Sequence, residues 1–110
     1  MGTAALLLLL ALAPPNPCDS PQTQVEMNRC AGEELRRTDA QLNVAYGRLL
    51  KKLDANRRAK LQKAERAWVA FRDAQCDYEG SESEGGSIQP LEVAACKTEL
   101  TNARIAQLKE

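Results

Sequence analysis

Four cysteines in a chain of 110 residues, Cys18, Cys30, Cys76 and Cys96, constrain this sequence more than any other feature. An even count in a short chain, behind an apolar N-terminal run, reads as two disulfides formed in an oxidising compartment. No Cys-x-x-Cys pair is present and the four are widely spaced, which argues against a zinc site. Neither metal nor cofactor is expected. The staples answer a physical need. Tyr46, Trp68, Phe71 and Tyr78 are the whole aromatic complement, so the core has to be built from leucine, alanine and those rings. A core that small usually needs covalent help, and the length allows one domain.

The apolar run is Leu6 to Leu10, continued by Ala11-Leu12-Ala13. It suits a signal-peptide core, is too short to span a bilayer, and carries small residues where signal peptidase needs them. Residues 1–13 are therefore expected to be a signal segment. A lipid-anchored product would need a small residue before Cys18, but Pro17 stands there. The expectation is an exported protein, periplasmic or secreted, without lipid anchor or stable membrane insertion. Residues 14–22, with Pro14, Pro15 and Pro17, read as a stiff, extended lead-in, and 23–110 as a single helical domain.

Within that domain, Thr23-Gln24-Val25-Glu26 has the form of a capping box. Met27, Ala31, Leu35, Thr38, Leu42, Ala45, Leu49 and Leu53 then recur at helical steps, with Tyr46 beside them. Asp54-Ala55-Asn56 marks a turn. A second helix is expected from about Arg57 to Tyr78, with Leu61, Ala64, Trp68, Phe71 and Gln75 on its inner face. Glu79 to Gln89 is rich in glycine, serine and glutamate and reads as a long loop. A third helix, opened by Pro90, runs to Leu108 with Leu91, Ala95, Leu100, Ile105 and Leu108 inward. The fold class is all-α: a small antiparallel three-helix bundle, its core including Leu42, Tyr46, Trp68 and Phe71. Arg72 is expected to meet Asp39 or Asn43 across the hairpin. All four cysteines fall at one end of such a bundle. Cys18–Cys30 with Cys76–Cys96, or Cys30–Cys76 with Cys18–Cys96, are both permitted; near neighbours meet most often, which favours the first.

Charge excludes several functions. Fifteen lysines and arginines balance fifteen acids, and there is no histidine. A neutral chain lacks the field that draws proteins to nucleic acid or anionic lipid, so nucleic acid is not an expected partner. The usual neutral-pH acid/base catalyst is missing, the glycines form no phosphate-binding motif, and an enzyme is not expected. From Asp73 to Cys96 there are six acids and no lysine or arginine. An acidic, glycine-containing loop between cysteines is a candidate recognition element for a basic protein, with Glu79, Glu82, Glu84, Gly85, Gly86 and Ser87 as its contact residues.

Three stretches carry a resemblance. Thr23-Gln24-Val25-Glu26-Met27-Asn28-Arg29-Cys30-Ala31, then Asp39-Ala40-Gln41-Leu42-Asn43 with Tyr46, resembles the first helix of the LprI-type lysozyme inhibitor family. Ala64-Glu65-Arg66-Ala67-Trp68 with Phe71-Arg72-Asp73-Ala74-Gln75-Cys76 is similar to its second helix. Gly85-Gly86-Ser87-Ile88, Cys96 and Leu100-Thr101 with Arg104 are similar to its loop and third helix. The resemblance covers Cys18 to the C-terminus. It implies an exported, non-catalytic protein that binds and blocks a basic, lysozyme-type muramidase. The alternative is a small cell-envelope interaction module with another protein partner.

Overall fold

The computed structural model describes residues 2–3 and 16–109. The expected signal segment and Pro14–Pro15 lie outside them, apart from Gly2 and Thr3. Three helices follow in order: α1 (Gln24–Lys52), α2 (Ala55–Gly80) and α3 (Gln89–Gln107), with a single 3-10 turn at Ser81–Ser83.

α1 and α2 each start where a side chain supplies an acceptor. Thr23 Oγ1 accepts from the Glu26 N–H at 3.1 Å, and Glu26 Oε2 reaches back to accept from the Gln22 N–H at 2.9 Å. The two satisfy free donors at the start of α1. The turn between α1 and α2 is tighter than the sequence suggests, because Asp54 itself caps α2, its Oδ1 accepting from the Arg57 N–H at 2.8 Å. Arg58 closes the other side: its Nε and Nη2 donate to the Leu50 and Leu53 carbonyls, both at 3.2 Å. A cation on those carbonyls satisfies the acceptors a helix C-terminus leaves open. Pro90 lies in the first turn of α3, where a missing N–H costs nothing.

The helices form the bundle. α3 runs antiparallel to α2 and parallel to α1, and packs against both. Its approach to α2 depends on Gly80, which is buried: a Cβ built there would lie 2.5 Å from Val93 Cγ2. At the same end Cys18 is bonded to Cys30 and Cys76 to Cys96, with Cα–Cα distances of 5.5 and 5.6 Å. Of the two pairings the sequence permits, the structure has the one that closes short segments.

The interior is unusually polar. Leu42, Cys76, Ala94 and Leu108 are its buried apolar residues among the described ones, joined by Thr38, Thr101 and Arg72. The threonines turn their hydroxyls onto their own helices, Thr38 Oγ1 donating to the Glu34 carbonyl at 2.9 Å and Thr101 Oγ1 to that of Lys97 at 2.6 Å.

Four expectations need correction. The inner face of α2 is Leu61, Glu65, Trp68, Arg72 and Cys76; Ala64 and Phe71 lie outside it, and Phe71 is 54% exposed. Phe71 is thus not core. A ring that size has no room where Arg72 and Glu65 already fill the gap between α2 and its neighbours. On α3 Leu108 is buried and Leu91, Leu100 and Ile105 are half-buried as expected, but Ala95 is exposed, and Ala94 and Thr101 are buried in addition. The expected long loop is short, because α2 runs on to Gly80 and the 3-10 turn takes the next three residues. Finally, the lead-in from Asn16 is not extended: the Asp19 N–H donates to the Asn16 carbonyl at 3.0 Å and the Cys18 N–H to Asn16 Oδ1 at 2.9 Å. That turn folds Cys18 back onto Cys30.

Candidate functional site

Two polar constellations stand out, one internal and one at the cystine end. The internal one is built around Trp68, the single tryptophan. The Arg72 and Arg104 guanidinium carbons lie 5.4 and 5.8 Å from its ring centroid, both within cation–π range. Each guanidinium is also anchored to acid. Arg72 Nη1 donates to Asp39 Oδ1 at 2.7 Å and to Thr101 Oγ1 at 3.2 Å, and its Nε to Asp73 Oδ1 at 3.0 Å. Lys97 Nζ adds a second cation to Asp73, 3.6 Å away. Arg104 Nε and Nη2 both donate to Glu65 Oε2, at 3.2 and 3.1 Å. Glu65 Oε1 is buried with no hydrogen-bond partner.

Asp39 and Arg72 thus sit together, with Asn43 exposed. Leu42 is buried, and Tyr46 and Trp68 are half-buried. Arg104, Glu65 and Thr101 were missed as a group by sequence reasoning. Every cation and acid in this cluster is tied to another or to the ring, which makes it a structural spine joining all three helices.

The second constellation is the acidic end. Glu79, Glu82, Glu84, Gly85, Gly86 and Ser87 are all exposed and lie together between the end of α2 and the start of α3. The loop is held from several sides. Glu84 and Gly86 donate their N–H groups to the Ser81 and Ser83 carbonyls at 3.2 and 2.8 Å. Gly85 takes φ +76°, the left-handed region that favours glycine, and its N–H donates to Gln89 Oε1 at 3.1 Å. Asn28 Nδ2, from α1, donates to the Ser87 carbonyl at 2.9 Å. The Cys76–Cys96 bridge ties the two helices that carry the loop. Glu79 is less available than Glu82 and Glu84, since its Oε1 accepts from Gln75 Nε2 at 3.4 Å and its Oε2 lies 2.7 Å from Cys96 Sγ. Those two sulfurs and Glu79 cluster as metal ligands would, but a disulfide sulfur carries no thiolate charge to hold a cation.

A short helical domain stapled by two disulfides, with a braced acidic loop at its stapled end, belongs to the class of small proteins made for oxidising compartments. Among the described residues no helix is long and apolar enough to cross a membrane. Residues 16–108 match the family described as lysozyme inhibitor LprI, and the chain belongs to that family. It is similar to an uncharacterized protein of Rhizobium meliloti (strain 1021), 36% identical over 97% of this chain and 91% of that protein. It is also similar to the uncharacterized protein YecT of Escherichia coli (strain K12), 32% identical over 73% of this chain and 59% of YecT. No solved structure matches the chain.

Proposed function

We propose that this protein acts outside the cytoplasm as a non-catalytic inhibitor, binding a basic, lysozyme-type muramidase through the acidic loop. The observation that carries the reading is the loop: Glu82 and Glu84 exposed beside Gly85, Gly86 and Ser87, on a backbone braced by Asn28, Gln89 and the Cys76–Cys96 bridge. Family membership supports a muramidase as the partner class. The physics then assigns each part a task. Uncompensated acids on a rim raise the association rate with a basic partner. Gly85 and Gly86 allow the backbone to approach a cleft closely, and the Ser87 hydroxyl can donate to a carboxylate inside it. A braced loop loses little conformational freedom on docking, which favours affinity.

The test is clearing of bacterial cell-wall suspensions by lysozyme, with and without the purified oxidised protein. Inhibition is expected. Replacing Glu79, Glu82 and Glu84 together by glutamine should slow association and flatten its dependence on salt, because rim charges are screened. Ser87→Trp should instead speed dissociation. A parent protein that leaves clearing untouched sinks the reading; inhibition that survives both sets of changes removes the loop from it.

A further inference from the structure

The outer face of α2 is a large side-chain pattern that neither the core nor the acidic loop uses. Ala64, Ala67, Phe71, Ala74 and Tyr78 follow one another at alternating steps of three and four, and all five are exposed. Phe71 is 54% and Tyr78 72% exposed, so two of the four aromatic rings are spent on a surface. Steps of three and four are the spacing of a coiled-coil seam, in which each seam residue inserts between residues of a facing helix. Alanines let the facing helix come close, and the two rings would be the large inserts. Among the described residues, none of the hydrogen bonds or ion pairs involves these five side chains.

The charges flanking the seam state what faces it. The N-terminal half of α2 carries Arg57, Arg58, Lys60, Lys63 and Arg66, while its one acid, Glu65, is turned inward onto Arg104. The C-terminal half carries Asp73, Asp77 and Glu79, while its one base, Arg72, is turned inward onto Asp39. The helix is basic at one end and acidic at the other, so its best complement is itself, reversed.

We infer that this surface binds a second copy of the chain, α2 against α2 in antiparallel register about a two-fold axis near Val69 and Ala70. That register overlaps nearly the whole helix. It sets Lys63 of each copy opposite Asp77 of the other, and Lys60 opposite Tyr78, where an ammonium can lie over the ring. A parallel pairing would set like charges together. The arrangement is closed, since each copy offers and receives the same patch, and it leaves Gly85 to Ser87 outside the contact. The inference does not rest on the muramidase reading.

Sedimentation of the purified oxidised protein tests it. At low salt and roughly 100 µM, a concentration that reports dissociation constants in the micromolar range, the expected species has twice the monomer mass, and added salt should reduce it. Phe71→Glu should give a monomer with an unchanged helical circular dichroism spectrum. Lys63→Asp should weaken association about tenfold, because each of two symmetric pairs becomes a repulsion. Adding Asp77→Lys in the same chain should restore it. A parent that stays monomeric at that concentration, a dimer indifferent to Phe71→Glu, or a charge swap that fails to restore association each overturns the inference.

Discussion

Replacing Arg104 by methionine should destabilise this protein far more than a lost surface ion pair would. The Arg104 and Glu65 side chains are 14% and 12% exposed, and two of the three guanidinium bonds converge on the same carboxylate oxygen. Glu65 Oε1 already lacks a partner, so Arg104 is what compensates the buried charge. Removing one member of such a pair costs about 3–5 kcal/mol, whereas replacing both by apolar residues is often neutral or better. The lost stacking on Trp68 adds about 1 kcal/mol. A small domain has a total stability of roughly 5–15 kcal/mol, so Arg104→Met should lose a third or more of it. Its melting temperature should fall by at least about 15 °C, at roughly 4–8 °C per kcal/mol for a domain of this size. Combining Arg104→Met with Glu65→Leu should bring stability back to within about 1 kcal/mol of the parent. Urea unfolding followed by far-ultraviolet circular dichroism, with the disulfides intact, reads all three variants. Trp68 fluorescence serves as a second probe, since it reports the loss of one flanking cation directly. If the double variant is no more stable than Arg104→Met, the cost does not come from a stranded charge and the argument fails.

Gly80→Ala should cost about 1–3 kcal/mol in the same assay, the range for overpacking, and Val93→Ala alongside it should recover part of that loss; an unchanged midpoint for Gly80→Ala would refute the close approach of α2 and α3. Thiol reduction should lower the melting temperature steeply, since each bridge contributes roughly 3 kcal/mol; mass mapping of non-reduced peptides should recover Cys18 with Cys30 and Cys76 with Cys96. Fractionation of expressing cells should find a shortened chain outside the cytoplasm with no acyl group on Cys18, and full-length protein in the cytosol would contradict the export reading.

What could be read from the sequence was whatever is local. The Thr23 cap, the long stripe of α1, the proline start of α3 and the two-staple framework all depend on residues within a few positions of one another, or on composition. The inner face of α2 was misjudged for a definite reason. Periodicity counts apolar residues, and it joined Ala64, Trp68 and Phe71 because they are apolar. The interior instead takes Glu65 and Arg72 together with Trp68, since cations over the ring and acids beside the cations do the work that further rings would do in a larger core. Arg104 and Glu65 are 39 positions apart, and nothing local marks either as a partner for the other. The loop reads too long because Gly80 stands in a stretch rich in glycine, serine and glutamate. Here it is a contact residue, left without a side chain so that Val93 can reach the helix.

The two bridges join partners only 12 and 20 positions apart, and they occupy separate stretches of chain. A polypeptide delivered N-terminus first therefore presents Cys18 and Cys30 together before Cys76 has arrived, and Cys76 meets Cys96 after the first pair can already be sealed. The rival bond from Cys30 to Cys76 would have to close a much wider span, at an entropic disadvantage of about 1 kcal/mol. Order of delivery and polymer statistics thus favour the same oxidation product. The native bridges can form in sequence without a reshuffling step, each setting one corner of the bundle before the helices have packed.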